Sequence, residues 1–295
     1  DVEILADKDP GVGLPGRGYL PGYSRTMGPQ SHLFAERERL QSLTWEYFDV
    51  KQLSPTIGAE LVGLDLSQEL TDEVVSEIQQ ALWDYKVIFF RNQEITSEEQ
   101  LRFAQRFGEL EIHPFVPPNT ETPELVRFEK NANAAGYENQ WHHDVTWRET
   151  PSQGAILRAI EIPPIGGDTL FVDANAAYEG LTQERKDEID SLNAVHDFLR
   201  AFGRQVPKEK LAEMREMYPL VKHPVVINHH QTGKPLLYVN RIFVNGIEGY
   251  DEKEGFELID ALCREFEVLE YSCRFKWEKN SIAFWDNQAV QHYAT

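Results

Sequence analysis

Cysteine, basic charge and long apolar runs are all scarce in this sequence of 295 residues. The two cysteines, Cys263 and Cys273, cannot form a disulfide framework, so we expect reduced thiols and a cytoplasmic location. No apolar run reaches the roughly 18 residues that a bilayer requires, so we expect no membrane-spanning helix.

The charge balance is strongly acidic. Lysine and arginine total 29, aspartate and glutamate total 49, and the formal net charge is −20 at pH 7. A field of this sign repels phosphate backbones and anionic lipid, so we expect neither nucleic acid nor a membrane surface as a partner. A small anionic substrate is still possible, since a local basic pocket can override the global charge. The hydrophobic content of 41% predicts a globular protein with a sizeable core.

Residues 1–45 differ in composition from the rest of the chain. Glycines and prolines interrupt every periodic pattern there, which predicts an irregular N-terminal arm. This arm has too few apolar residues for its own core, so we expect it to lie on the main domain, residues 46–295, or on a second copy in a homo-oligomer. The sequence starts without methionine and stops soon after His292, and we expect further residues beyond Thr295.

The main domain alternates many short strand patterns with fewer helical ones. Residues 71–85 predict a helix capped by Thr71, and residues 96–107 predict a second helix with a capping box of Thr96 and Glu99. Further helices are predicted at 183–192, 208–217 and 252–266, and strands at 48–53, 57–64, 87–90, 125–128, 141–146, 155–162, 169–172, 221–227, 236–239, 271–275 and 281–285. Many short strands separated by turn signals predict a mainly β fold, a barrel or sandwich with helical insertions.

The segment WHHDVT at 141–146 contains the first candidate metal ligands. In a strand, side chains two residues apart share a face, so His142 and Asp144 would point the same way. With a distant histidine they would form the set of two histidines and one carboxylate that suits Fe(II) and leaves coordination positions open. His292, in the later segment QHYA, is the candidate third ligand. Taken singly, a surface turn explains the first motif and a core or surface histidine explains His292.

Three motifs in the same order resemble one known family. The segments WHxDVT (141–146), GGDTL (166–170) and WDN with QHYA (285–287 and 291–294) resemble the taurine/alkylsulfonate dioxygenases, which use Fe(II) and 2-oxoglutarate. The resemblance extends from about residue 47 to the end of the sequence and implies a double-stranded β-helix, or jelly roll. It also implies that His142, Asp144 and His292 bind the iron.

The resemblance also assigns cosubstrate residues. It implies that the Thr169 hydroxyl donates to a carboxylate of 2-oxoglutarate and that Trp285 lines the cosubstrate pocket; an ordinary strand threonine and a core tryptophan are the alternatives. In the family, an arginine beyond the distal histidine pairs with the far carboxylate, as a bidentate guanidinium can. No residue from His292 to Thr295 can take that role, which is why we expect a further C-terminal segment.

Candidate substrate residues follow from the same resemblance. His113 matches a histidine that contacts the sulfonate, and Phe202 and Phe243 match aromatic pocket walls, although all three could simply be packing residues. Two polar positions of the taurine site are apolar here, one of them at Val116, so an ammonium group would lose partners unless Glu138 replaced them. We therefore expect a less polar alkylsulfonate, a sulfate ester or another small organic anion rather than taurine.

The predicted activity is hydroxylation of a small organic anion, with 2-oxoglutarate and O2 consumed and succinate and CO2 released. No catalytic group beyond the metal ligands is predicted. One alternative keeps this chemistry on a different substrate, as in phenoxyacid or amino-acid tailoring oxygenases. Another is a non-catalytic jelly-roll protein that only binds a metal or ligand.

Overall fold

The structure, a computed structural model, describes residues 30–112, 122–129, 138–203 and 206–295. Over these residues the protein is mainly sheet with helices packed around it. No helix in the described ranges is both long and apolar enough to cross a bilayer.

The helices are short and lie between groups of strands. They are α1 (Phe34–Gln41), α2 (Asp72–Tyr85), α3 (Ser97–Gln105), α4 (Ala174–Glu179), α5 (Gln183–Ile189), α6 (Phe198–Phe202), α7 (Leu211–Met217) and α8 (Glu252–Arg264). The strands are β1 (Asp49–Gln52), β2 (Ala59–Val62), β3 (Val87–Phe90), β4 (Gly154–Arg158), β5 (Thr169–Asp173), β6 (Asn193–His196), β7 (Val221–Pro224), β8 (Val226–Asn228), β9 (Pro235–Leu237), β10 (Val244–Ile247), β11 (Ser272–Phe275), β12 (Ile282–Asp286) and β13 (Val290–Ala294).

The strands form a five-stranded sheet and several smaller ones. The largest has the order β1-β2-β3-β12-β4, in which β2 and β3 are parallel and the other neighbours antiparallel. A three-stranded antiparallel sheet has the order β11-β5-β13, and a second has the order β10-β6-β7. Strands β8 and β9 form a hairpin-like pair. Neighbours far apart in sequence, such as β3 and β12, join the two ends of the main domain.

The central strand of the five-stranded sheet, β3, is buried on both faces. In β3, Ile88 and Phe90 face the core formed with helices α2 and α3, whereas Val87 and Phe89 face the sheet β11-β5-β13. The Phe89 ring stacks on Phe275 of β11 with ring centroids 3.9 Å apart. This alternation explains why β3 reads as an unbroken apolar run in the sequence, since a strand covered on both faces has no polar side. The two sheets therefore pack face to face.

The first two predicted helices form with the predicted caps. The Thr71 side chain accepts from the Val74 N–H at the start of α2, and Thr96 and Glu99 form the full capping box at the start of α3. Both helices begin where a side-chain oxygen satisfies an N–H group that the helix itself leaves free. Local sequence signals were therefore sufficient to predict where these two helices begin.

Three local predictions differ from the structure. The part of the expected irregular arm that is described contains α1, which buries Leu40 against one core, and a 3-10 turn before it, which buries Leu33 against another. Residues 125–128 contain no strand, and 141–146 are not a strand either: His142 makes a single bridge and a turn follows it. The alternation argument used to pair His142 with Asp144 was therefore wrong, although the two side chains do converge.

Candidate metal centre and active site

His142, Asp144 and His292 lie together although 150 residues of sequence separate the first from the last. One potential ligand atom from each lies within 4.8 Å of the other two. The Nε2 atoms of His142 and His292 are 3.6 Å and 3.7 Å from the same Asp144 oxygen, Oδ1. In the described ranges, no other group of three histidine, cysteine or acidic side chains converges in this way.

Backbone hydrogen bonds bring the two histidines together. The His142 N–H donates to the His292 carbonyl at 3.2 Å, and the His292 N–H donates back at 3.0 Å. His292 lies on β13, whose other edge pairs with β5, so β5 and the bridge hold this strand from both sides. The chain turns at Asp144, and Val145 adopts a left-handed φ of 49°. The turn, and not a strand, directs the carboxylate back towards the histidines.

A backbone carbonyl sets the tautomer of His142. The His142 Nδ1–H donates to the Gln140 carbonyl at 2.8 Å, so in the neutral ring Nε2 is the nitrogen with the free lone pair. Burial, more than the neighbouring Asp144 and His142, sets the pKa of His292 and lowers it to about 4. The His292 imidazole is therefore neutral at physiological pH, which is the state that binds a metal ion.

The donor set fits a divalent iron. Two imidazole nitrogens and one carboxylate oxygen on one side of a centre are the arrangement that suits non-haem Fe(II) and leaves positions open for other ligands. The side chains of His142 and His292 are 10% and 14% exposed, whereas that of Asp144 is 33% exposed. The site therefore opens on the side of the carboxylate.

Thr169 begins β5, the strand that pairs with the one carrying His292. It is 8% exposed, and its Oγ1 accepts a hydrogen bond of 2.9 Å from the Trp277 indole N–H. An indole N–H can only donate, so this contact occupies a lone pair of the hydroxyl and leaves its hydrogen free to be donated elsewhere. This polarity suits recognition of a carboxylate.

Trp285 packs directly beside a candidate iron ligand. Its ring centroid is 5.0 Å from that of His292 and 5.7 Å from that of Phe171. Trp285 also belongs to the core between the two packed sheets. It is thus both a core residue and a neighbour of the site.

The candidate substrate residues divide between described and undescribed parts of the chain. Phe202 and Phe243 lie together, with ring centroids 6.3 Å apart, in an apolar cluster that includes Val145, the residue after Asp144. The Glu138 carbonyl accepts from the Ala294 N–H at the end of β13, so this residue also lies near the site. His113 and Val116 fall outside the described residues.

Two residues near the site were not singled out from the sequence. Trp277 lies 108 positions from Thr169, and no local pattern connects them. Asn287 belongs to the WDN motif, and its side chain bonds to the backbone of Asp144. The motif was a signal for Asn287, but the bonded partner was visible only in the folded chain.

Comparison with known proteins agrees with this geometry. The profile of the "Taurine catabolism dioxygenase TauD, TfdA family" matches residues 49–295, and the chain belongs to this family. The family resemblance read from the three motifs is thereby confirmed. The protein is a 2-oxoglutarate-dependent dioxygenase, and its cofactor is Fe(II).

Several individual relatives are similar to this chain over most of its length. The chain is 34% identical to an alkylsulfatase of Acinetobacter baylyi over 257 residues, covering 84% of this chain and 80% of the relative. It is 36% identical to an alpha-ketoglutarate-dependent sulfate ester dioxygenase of Pseudomonas putida over 255 residues, covering 83% of each. A crystal structure of a taurine dioxygenase from Burkholderia xenovorans superposes with a TM-score of 0.73 at 35% identity, covering 84% of this chain and 83% of that one.

Proposed function

We propose that this dioxygenase hydroxylates an alkyl sulfate ester at the carbon that bears the sulfate. The observation that carries the proposal is the convergence of His142, Asp144 and His292 beside an apolar aromatic cluster. The similarity to an alkylsulfatase and to a sulfate ester dioxygenase supports this substrate class over taurine. We propose His142, Asp144 and His292 as the iron ligands.

We further propose that the main domain is a jelly roll with the site at one end of its sandwich. The face-to-face packing of the five-stranded sheet on β11-β5-β13 supports this fold, as do the family relatives. Three features of the chain remain predictions: the N-terminal arm at 1–45, the main domain at 46–295 and a further C-terminal segment with an arginine for 2-oxoglutarate. The homo-oligomer and the absence of nucleic-acid and membrane partners remain predictions as well.

Thr169 and Trp285 are the proposed cosubstrate residues. The Thr169 hydroxyl, oriented by the Trp277 N–H, would donate to one carboxylate of 2-oxoglutarate, and Trp285 would wall the pocket beside His292. When bound, the iron and 2-oxoglutarate supply the oxidising chemistry, with the cosubstrate converted to succinate and CO2. The protein's own side chains supply orientation and exclude water.

The apolar cluster next to Asp144 is the proposed side for the alkyl chain. It contains Val145, Trp147, Phe198 and Phe243, with Phe202 packed against them. Aromatic walls bury an alkyl chain favourably but provide no strong hydrogen-bond acceptor for an ammonium group, which must keep hydrogen-bond partners when it leaves water. His113, Val116 and Glu138 are the remaining proposed substrate contacts.

The proposed products follow from atom balance. Hydroxylation of the carbon bearing the sulfate gives a hemiacetal-type ester, and breaking its C–O bond releases an aldehyde, sulfate and a proton. One O2 is consumed: one oxygen atom enters succinate and the other enters the aldehyde. An alkylsulfonate would release sulfite and an aldehyde by the same route.

The test compares three substrates at equal concentration with Fe(II), 2-oxoglutarate and O2. We expect hexyl sulfate to yield succinate, hexanal and sulfate in equal amounts, with less product from hexanesulfonate and least from phenoxyacetate. His142→Ala should abolish all three reactions, whereas His230→Ala, which changes an exposed histidine, should retain them. Faster turnover of phenoxyacetate would refute the substrate class, and no succinate with any substrate would favour a non-catalytic binding protein.

A further inference from the structure

Asn287 connects the two chain segments that form the candidate metal centre. It follows β12 and precedes β13, the strand that carries His292, and it is 1% exposed. Its own N–H donates to the Gln153 carbonyl at 2.9 Å, which anchors its backbone. The side chain therefore extends from a fixed point.

The Asn287 amide holds Asp144 on both sides of its Cα atom. Its Oδ1 accepts from the Asp144 N–H at 2.7 Å, and its Nδ2 donates to the Asp144 carbonyl at 2.9 Å. The same Nδ2 donates to the Ser152 carbonyl at 3.0 Å. Only a side-chain amide offers an acceptor and two donors in this planar arrangement. Aspartate has the same shape but would direct an oxygen at two carbonyl oxygens.

The next peptide explains why this contact is needed. Val145 has a φ of 49°, in the left-handed region that β-branched residues rarely adopt. The bond from Nδ2 to the Asp144 carbonyl fixes the peptide between Asp144 and Val145 in this orientation. Without it, the turn could relax towards an ordinary φ and carry the carboxylate away from His142 and His292.

The two histidines are held differently. The bridge between His142 and His292 uses only backbone groups, so it forms whatever the nearby side chains are. The carboxylate has no equivalent backbone bridge in the described structure; instead the Asn287 side chain bonds both the N–H and the carbonyl of Asp144. Loss of that side chain should therefore displace Asp144 and leave both imidazoles in place.

We propose that Asn287 is a positioning residue that holds the carboxylate ligand of the metal in its binding orientation. The proposal rests on the proposed metal ligands but not on the substrate or on 2-oxoglutarate. It is therefore tested by metal binding alone, in protein that contains neither.

The experiment is a calorimetric titration of metal-free protein with Co(II), followed by the visible spectrum of the bound ion. Partners of metal ligands typically change affinity by about 10- to 100-fold when removed, and we expect Asn287→Asp and Asn287→Ala each to weaken Co(II) binding within that range. The spectrum should change, because the ion loses a fixed protein carboxylate. Asn175→Asp is the matched control: it removes an amide that donates to the Pro235 carbonyl, at 2.8 Å, and should leave affinity unchanged.

A double-mutant cycle separates positioning from general damage. In an Asp144→Ala background, Asn287→Asp should cause no further loss of Co(II) affinity, because the carboxylate that it positions is already absent. An equal loss in both backgrounds would overturn the proposal, and so would Co(II) binding by Asn287→Asp as tight as in the unaltered protein.

A measurement on the unaltered protein provides a second test that does not depend on folding of a variant. The Asp144 amide should exchange slowly with deuterium in the metal-free state, because Asn287 already holds it. Rapid exchange that becomes slow only after Co(II) is added would show that the metal orders the turn, and the proposal would then be wrong.

Discussion

Two buried polar regions of this protein deal with charge in opposite ways. The charge cluster comprises Glu36, Arg39, Lys86, Asp173 and Lys234, and it fastens α1 to the main domain. The histidine layer comprises His143, His196, His223 and Tyr238, and it lies behind the metal site. The first region keeps full charges, whereas the imidazoles of the second are neutral at physiological pH.

The charge cluster compensates each charge with a partner. Lys86 is 3% exposed, and its Nζ lies 3.1 Å from an Asp173 oxygen and 2.7 Å from the Thr56 carbonyl. Burial alone would raise the pKa of Glu36, but hydrogen bonds from Arg39 and Lys234 and the charge of Lys86 outweigh it and hold the pKa well below its usual range. Glu36 therefore remains ionised although it is largely removed from water.

The histidine layer instead loses its protons. Burial, helped by the nearby His223, lowers the pKa of His196 to about 3, and burial also lowers the pKa of His143 and His223. His196 hydrogen-bonds through Nδ1 to the Thr146 hydroxyl at 2.9 Å, whereas its buried Nε2 has no hydrogen-bond partner among the described residues. In the described ranges none of the three imidazoles forms an ion pair with a carboxylate, although the charge of Glu149 acts on His223.

The two regions differ in charge because they stabilise different parts of the protein. Ion pairs fix the position of α1, since removing one partner would leave the other charge buried and uncompensated. Beside a site for a divalent cation, protonated histidines would repel the ion across a medium of low dielectric constant. Neutral rings give the loop after Asp144 a hydrogen-bonded support without that repulsion.

The largest effect should come from breaking the charge cluster. Lys86→Met keeps the length of the side chain but leaves Asp173 buried without its cation, so we expect the free energy of unfolding to fall by about 3–5 kcal/mol. Urea denaturation measures the change. Lys186→Met is the control, because Lys186 pairs with Glu179 near the surface, and should cost less than about 1 kcal/mol. Equal costs would mean that burial does not distinguish the two lysines.

The next effect should come from the hydroxyl that supports the histidine layer. Thr146→Val leaves the His196 Nδ1 and the Asn240 Nδ2 without their shared partner, so we expect a loss of about 1–3 kcal/mol. Thr56→Val is the matched control, since the buried Thr56 Oγ1 has no hydrogen-bond partner among the described residues. If both variants are equally stable, the hydroxyl of Thr146 contributes nothing specific.

On acidification, the histidine layer and the charge cluster should change the free energy of unfolding in different pH ranges. Below pH 6.5 His196 is protonated in the unfolded chain, whereas in the folded protein it stays neutral down to about pH 3. The free energy of unfolding therefore falls as the pH drops. The slope is at most about 1.4 kcal/mol per pH unit for each such histidine. Glu36, with its lowered pKa, loses its contribution only below its ordinary value of 4.5.

Denaturation series between pH 6.5 and 5 therefore report on the buried histidines, which are the histidine layer and His292, and not on Glu36. His196→Phe should flatten the slope in this window, whereas Glu36→Gln should leave the slope unchanged and lower stability at every pH. An unchanged slope in His196→Phe would show that other groups take up the protons.

The smallest effect concerns a neutral hydrogen bond outside both regions. Trp277→Phe keeps a ring in the core but removes the N–H that orients Thr169, so we expect 2-oxoglutarate binding to weaken by about 1 kcal/mol, roughly fivefold. Equilibrium dialysis with Mn(II) in place of iron measures it. Trp45→Phe, which removes a long indole contact to Tyr85 of 3.4 Å, should not change binding.

Local signals in the sequence predicted a large part of this structure. The caps at Thr71 and Thr96 need only neighbouring residues, and the apolar run of β3 follows from burial on both faces. Strand β13 and helix α1 were not predicted, because polar residues such as Gln291 and Glu36 obscure their periodicity. Those residues are polar because they bond to distant partners.

Residue types and their order along the chain were sufficient to predict the proposed metal ligands and the family to which this protein belongs. How the proposed ligands meet is visible only in the folded chain, in the bridge between His142 and His292, the turn at Asp144 and the side chain of Asn287. The two kinds of information differ in the distance along the sequence over which they act. Caps and periodicity act over a few residues, whereas a shared metal site depends on hydrogen bonds between segments that only the folded chain brings together.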